Sequence, residues 1–136
     1  FKGRTQSVSK EILYRLCGER LGISRTHCVS EYGMTELSSQ AYDTTLRNAI
    51  KHRKGRFFKK GPAWMRTLVI DPRTGREVSG ARRGLLRHFD LANRGSVMAV
   101  QTEDVGVKKG DGFEVLSRAK KAQLRGCSLT YEKFIQ

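Results

Sequence analysis

The chain has 136 residues, of which 27 are Lys or Arg and 13 are Asp or Glu, giving a formal net charge of +14 at pH 7. This length allows one domain with its own core. No run approaches the roughly 18 apolar residues that span a bilayer, and no membrane span is expected. The three cysteines, Cys17, Cys28 and Cys127, fit neither a disulfide framework nor a zinc site, so a reducing cytoplasm is the expected setting.

The first predicted element is a helix that begins near Ser7 or Ser9, either of which can cap its first turn. Gly22 is expected to end it. Between these positions the apolar residues recur at helical spacing: Ile12, Leu13, Leu16, Cys17 and Leu21. Cys17 belongs to this stripe, which favours core packing over chemistry.

Residues 28–37 form a β-leaning run that breaks at Gly33 and presents Thr35 and Glu36 just beyond it. A strand that ends in a glycine turn holds the next side chains at a sheet edge, where open α/β folds bind ligands. A Glu36 carboxylate suits Mg²⁺, a Thr35 hydroxyl can donate to a phosphate oxygen, and the Tyr32 ring can face a base. These groups suit a nucleotide, although a buried Tyr and a solvated Thr-Glu at a helix start fit the same spacing.

The middle of the chain carries a loosely helical pattern over residues 37–50, with Tyr42, Leu46 and Ile50 on one side. Residues 51–60 are the most basic segment and include two phenylalanines. Such a patch can bind single-stranded nucleic acid, but a solvated loop is the preferred interpretation.

Short β-forming runs dominate from residue 63 onward. Residues 63–70 are followed by a turn at 71–75, and further runs occupy 84–89, 97–101, 105–108 and 112–116, with a hairpin signal at 109–111. The pattern predicts an α+β fold with an antiparallel β-meander or partial barrel. His27, His52 and His88 have no metal-ligand spacing, so surface or packing roles are expected.

Three segments, in chain order, resemble motifs of the adenylate-forming superfamily, which contains acyl-coenzyme A synthetases and luciferases. Residues 32–36 (Tyr-Gly-Met-Thr-Glu) are similar to its Tyr-Gly-x-Thr-Glu motif. Residues 101–106 are similar to its ribose-binding Thr-x-Asp segment, and Ser117-Arg118 to the Gly-Arg before its hinge. Residues 31–37, 89–93 and 124–129 more closely resemble the acyl-protein synthetase branch, which activates a fatty acid and passes it to a reductase.

This resemblance implies a role for each matched residue. Tyr32, with Gly33, would pack on adenine, and Thr35 would contact the α-phosphate of ATP. Glu36 would help bind Mg²⁺, and Asp104 would accept hydrogen bonds from the ribose hydroxyls. Arg118 would contact ribose or phosphate, and Lys120 would lie near the hinge. Glu103 and Ser117 depart from the family pattern, because glycine is usual at both positions.

Cys127 is the candidate acyl carrier, because the resemblance implies an enzyme thiol near the C-terminus that receives the acyl group from AMP. A neighbouring cation such as Arg125 favours the nucleophilic thiolate. Buried packing of Cys127 is the open alternative.

The resemblance also implies a division of the chain into residues 1–116, the C-terminal part of a large nucleotide-binding lobe, and residues 117–136, the hinge and start of a small lobe. The chain is therefore interpreted as a fragment that is inactive alone. The expected reaction of the whole enzyme uses ATP and Mg²⁺ to convert a carboxylate into acyl-AMP and then a cysteine thioester, with a reductase as possible acceptor. Transfer to coenzyme A, a homologue without activity and a basic nucleic-acid-binding module are the alternatives, and no nucleic-acid partner is expected.

Overall fold

The computed structural model describes residues 8–53 and 57–119. These residues belong to two compact units, one that includes the chain up to Arg25 and one that spans Thr26–Ala119. Lys120, Cys127 and the rest of the expected small lobe beyond residue 119 lie outside the described residues.

The described part of the first unit contains one helix, α1, at Lys10–Leu21. The Ser9 hydroxyl oxygen accepts a hydrogen bond from the Ile12 backbone N–H, and Gly22 ends the helix in the left-handed conformation with φ of 65°. Both boundaries confirm the prediction. The expected core packing of the apolar stripe is wrong for the described residues, because none of the helix residues is buried. Cys17 is half-buried.

The second unit is a seven-stranded antiparallel sheet. Its strands are β1 (Glu31–Tyr32), β2 (Ala41–Asp43), β3 (Lys59–Lys60), β4 (Met65–Ile70), β5 (Arg83–Asp90), β6 (Ala99–Lys109) and β7 (Gly112–Arg118). Across the sheet they run β1-β2-β3-β7-β6-β5-β4. A 3₁₀ turn at Arg25–His27 and the short helix α2 at Thr45–Ile50 complete the described elements. The antiparallel sheet with little helix confirms the predicted α+β class.

Two local predictions around the central motif need correction. The β-leaning run at 28–37 forms only the two-residue strand β1, although that strand does lie at the sheet edge. The helical pattern at 37–50 contains strand β2, and the helix begins only at Thr45. Asp43 lies at the boundary between strand β2 and helix α2 and bonds to residues on both sides of it. Its carboxylate accepts hydrogen bonds from the Ser30 N–H at 2.8 Å, the Ser30 hydroxyl at 2.9 Å and the Thr45 N–H at 3.1 Å.

The β-meander is more continuous than the sequence predicts. Residues 99–101 of the first predicted run and the whole run at 105–108 belong to the single strand β6, which pairs with β5 on one side and β7 on the other. The polar residues in the middle of β6 suggest a loop between two separate strands. Thr102 is nevertheless buried, and its hydroxyl donates to the Leu86 carbonyl oxygen at 2.8 Å. The predicted hairpin between β6 and β7 is confirmed.

The sheet curls back on itself between β3 and β4. In a flat sheet these two strands would lie four strand spacings, or about 19 Å, apart. The four residues that join them, 61–64, reach roughly 17 Å when fully extended. One cavity is lined by residues from β3, β4 and β7 together, which agrees with a curled sheet. The core inside the curl consists of Ala41, Val69, Val78, Leu86 and Phe113, with Tyr32 packed against it.

Candidate functional site

Two residues from different motifs meet inside the curled sheet. The Tyr32 hydroxyl, at the end of β1, donates to Oδ2 of Asp104, in β6, at 2.8 Å. The Tyr32 ring lies edge-on to Phe113, with 5.4 Å between ring centroids. Two residues separated by 72 positions are thus held together by a hydrogen bond and by packing on the core.

His88 completes this cluster from the neighbouring strand β5. Its side chain is fully buried, with Nε2 3.2 Å from the Tyr32 hydroxyl oxygen and Nδ1 2.9 Å from the Thr67 hydroxyl oxygen. Burial lowers the pKa of His88 to about 4, against the opposing effect of the carboxylates of Asp104 and Asp90. The ring is therefore neutral at pH 7.

The same surroundings keep the Tyr32 hydroxyl protonated. Burial and the neighbouring Asp104 carboxylate both raise the pKa of Tyr32 above its ordinary value of 10. The hydroxyl consequently acts as a donor to Asp104 at any physiological pH.

Arg118 approaches Asp104 from strand β7. The β6–β7 register sets Arg118 opposite Asp104, and its Nε lies 4.0 Å from Asp104 Oδ1. Its Nη2 is 3.7 Å from Oε2 of Glu103. The structure therefore brings Tyr32, Asp104 and Arg118, one residue from each of the three motif segments, into one cluster.

Thr35 and Glu36 lie in the turn that follows β1 and Gly33, and both are exposed. The Leu37 N–H closes this turn on the Met34 carbonyl oxygen at 3.1 Å. Within residues 8–53 and 57–119, no group of three or more His, Cys, Asp or Glu side chains could hold a metal ion. A lone exposed carboxylate still fits Mg²⁺, which in ATP enzymes binds one or two carboxylates together with substrate phosphates.

A second polar cluster anchors this turn to the loop after β5. Asp90 is fully buried and accepts from the Ser39 N–H at 2.7 Å, the Ser39 hydroxyl at 2.8 Å and the Ala92 N–H at 3.0 Å. Burial alone would raise the pKa of Asp90, but these hydrogen bonds outweigh it and lower the pKa. The Trp64 indole N–H also donates to the Ser39 hydroxyl oxygen, at 2.9 Å.

Asn93 makes the most direct contact with the motif turn. Its side-chain amide donates to the carbonyl oxygens of Glu36 and Val97, each at 2.9 Å, and its oxygen accepts from the Ser38 hydroxyl at 3.1 Å. Asp90 and Asn93 stand in the 89–93 stretch, to which sequence reasoning gave no role. For His88 a surface or packing role was expected, although the inward alternation of β5 was a usable signal.

The basic segment at 51–60 does not present all its cations to solvent. Lys59 is buried, and its ammonium group donates to the Ser30 carbonyl oxygen at 2.6 Å and the Ser30 hydroxyl at 2.5 Å. Lys60 pairs with Asp111 and lowers the pKa of that carboxyl. At least these two cations of the segment have partners within the chain.

The fold is similar to that of a solved luciferase-like enzyme from the nonluminescent mealworm Zophobas morio, with a TM-score of 0.55. The match has 19% sequence identity, covers 87% of this chain and spans 30% of the length of that enzyme. No protein-family model and no curated protein matches the chain. At this identity the likeness shows the fold alone, and it concerns the part of that enzyme that this chain covers. Among the described residues, no helix has the length and apolar character needed to cross a membrane.

Proposed function

We propose that this chain forms part of the nucleotide-binding lobe of an adenylate-forming enzyme, and specifically of an ATP-dependent acyl-protein synthetase that acts on a fatty acid or another carboxylate. The meeting of Tyr32, Asp104 and Arg118 in one cluster supports this proposal most strongly. The three motif segments are separate along the sequence, and a shared ligand would account for one residue from each lying at the same place.

Each residue then has a physical task in the first reaction. One carboxylate oxygen of Asp104 accepts from the ribose hydroxyls, while the Tyr32 ring packs on adenine. The Thr35 hydroxyl donates to the α-phosphate as the substrate carboxylate attacks it and pyrophosphate leaves. Glu36 would hold Mg²⁺, which would supply positive charge to the phosphates. Arg118 adds a further cation near the ribose.

The second reaction moves the acyl group to a thiol. The Cys127 thiolate attacks the acyl carbonyl, a thioester forms and AMP leaves. A reductase protein is the proposed final acceptor, and Lys120 is the proposed hinge between residues 1–116 and the small lobe. The alternative acceptor is the thiol of coenzyme A.

Fatty-acid-dependent exchange of labelled pyrophosphate into ATP tests the adenylation step, in the protein extended upstream of Phe1. We expect exchange in the unmodified protein, its loss in Glu36→Gln, and little change in Glu31→Gln, an exposed glutamate on β1 that serves as matched control. Absence of exchange with every carboxylate tested, from folded protein, would refute the enzyme proposal.

A labelled acyl chain distinguishes the two thiol acceptors. If Cys127 is the carrier, hydroxylamine-sensitive label stays on the protein and on Cys17→Ser, and disappears in Cys127→Ser. Label retained in Cys127→Ser would exclude Cys127. Label that appears only on added coenzyme A would favour the alternative acceptor.

A further inference from the structure

We infer that Thr67 and His88, which belong to none of the three motifs, are positioning residues that fix the direction of the Tyr32 hydroxyl and through it the orientation of Asp104. The inference rests on the proposed function and deepens it, because it identifies what sets the ribose specificity of the site. Neither residue would touch the nucleotide itself.

The direction of the hydrogen bonds follows from counting protons. A carboxylate cannot donate, so the single hydroxyl proton of Tyr32 goes to Asp104 Oδ2. The Nε2 atom of His88, 3.2 Å from the same hydroxyl, must then donate to it. A neutral imidazole has one N–H, so Nδ1 is bare and accepts from the Thr67 hydroxyl, 2.9 Å away. The four groups form one chain that runs from Thr67 through His88 and Tyr32 to Asp104.

Packing holds the ring of His88 in this arrangement. The ring centroid lies 5.3 Å from that of Tyr32 and 5.5 Å from that of Phe113. The ring is fully buried, so water cannot replace either partner. The charged groups that act on it are the carboxylates of Asp104 and Asp90, and burial outweighs them and keeps the ring neutral.

The opposite tautomer of His88 would break the series of hydrogen bonds at the end that leads to Asp104. With the proton on Nδ1, Nε2 could only accept, and it would compete with Asp104 for the Tyr32 proton. In the observed arrangement Oδ2 of Asp104 is occupied by Tyr32, whereas Oδ1 faces Arg118 at 4.0 Å and keeps the capacity to accept from a ligand hydroxyl. The Thr67 hydroxyl thus selects the tautomer that orients Asp104.

Thr67→Val and Thr67→Ser are the matched test variants, because valine removes the hydroxyl at nearly constant shape and serine restores it. The ring tautomer of His88 is read by ¹⁵N NMR on the ligand-free chain. We expect the Nε2–H form in the unmodified chain and in Thr67→Ser, and an increased Nδ1–H population in Thr67→Val. A His88 ring protonated at Nδ1 in the unmodified chain would overturn the inference.

Equilibrium binding of ATP and 2′,3′-dideoxy-ATP to the protein extended upstream of Phe1 tests the functional consequence. Thr67→Val should weaken ATP binding by roughly threefold to tenfold while leaving the dideoxy analogue nearly unaffected, and Thr67→Ser should restore the preference for ribose. Equal weakening of both ligands, or unchanged ATP binding, would overturn the positioning role. If the unmodified protein binds no ATP, the proposed function fails, while the tautomer still decides whether the hydrogen-bond chain exists.

Discussion

The two carboxylate oxygens of Asp104 have different surroundings. Oδ2 accepts a hydrogen bond from the buried Tyr32 hydroxyl at 2.8 Å, and Oδ1 lies 4.0 Å from the Arg118 guanidinium on the more exposed side. One oxygen therefore fixes the side chain, and in the proposed function the other accepts from a ligand hydroxyl. A preorganised acceptor of this kind loses little entropy when it binds a hydroxyl group.

The neutral, buried ring of His88 predicts a specific pH dependence of stability. Its pKa falls from 6.5 in the unfolded chain to about 4 in the folded one, so between these values only the unfolded chain takes up a proton. The stability contribution is complete above pH 6.5 and is lost as the pH falls, by about 2–3 kcal/mol at pH 4.5.

Urea unfolding at pH 7 and pH 4.5 measures this loss. The free energy of unfolding should fall less in His88→Gln than in the unmodified chain, whereas His52→Gln, which changes an exposed histidine, should behave like the unmodified chain. The Asp90 carboxyl, whose pKa is lowered, loses its contribution only at lower pH, below 3.8. An equal fall in His88→Gln and in the unmodified chain would contradict the buried neutral state.

At the scale of elements, the short strand β1 depends on the loop after β5 for its position. Asn93 connects this loop to the turn after β1 with two hydrogen bonds, one to the Glu36 backbone carbonyl and one from the Ser38 hydroxyl, and a third, to the Val97 carbonyl, lies within the loop itself. Asn93→Ala should lower the free energy of unfolding by about 2–3 kcal/mol, because it removes the three hydrogen bonds of a buried side chain.

Chemical denaturation measures the loss of unfolding free energy in Asn93→Ala. The control is Arg94→Ala, which changes a neighbouring exposed residue and should alter stability by less than about 0.5 kcal/mol. Faster amide exchange at Leu37 should accompany the loss in Asn93→Ala. If both variants have the same stability, the anchoring role assigned to Asn93 is wrong.

The pairing of β3 with β7 requires the absence of a side chain at Gly112. A Cβ there would overlap the Lys59 carbonyl oxygen and lie 2.7 Å from Cδ2 of the Phe58 ring. Gly112→Ala should therefore cost about 2–3 kcal/mol of stability. Gly95→Ala is the matched control, because a Cβ at that position would have no neighbour within 4 Å and the substitution should be nearly neutral. Similar thermal midpoints for the two variants would contradict the close approach.

Elements whose signals are local were predictable from the sequence. The cap at Ser9, the glycine end of α1, strand β4 and the β6–β7 hairpin each follow from a few neighbouring residues. The middle of β6 was not predictable, because Thr102 is satisfied by the Leu86 carbonyl oxygen of another strand. The same reason applies to His88, whose partners Thr67 and Tyr32 lie 21 and 56 positions away along the chain.

At the scale of the whole molecule, the excess of positive charge can cause nonspecific binding of anions, so every binding experiment needs a control for it. The chain has 27 Lys and Arg side chains and 13 acidic ones, which leaves a net excess of 14 positive charges. Such a charge attracts polyanions without specificity, and salt weakens that attraction. The fold likeness to a luciferase-like enzyme concerns 30% of that enzyme's length, so nucleotide binding must be tested directly on this chain.

Titration of the chain with adenosine monophosphate, followed by NMR of its histidine rings, tests the central claim most directly. Only His88 lies in the Tyr32–Asp104 cluster, while His27 and His52 are exposed and report nonspecific binding. We predict saturable shifts of the His88 signals that persist from about 0.15 M to about 0.5 M salt and are lost in Asp104→Asn. Shifts confined to His27 or His52 that vanish with added salt, or no shift at His88, would contradict a nucleoside site at this cluster.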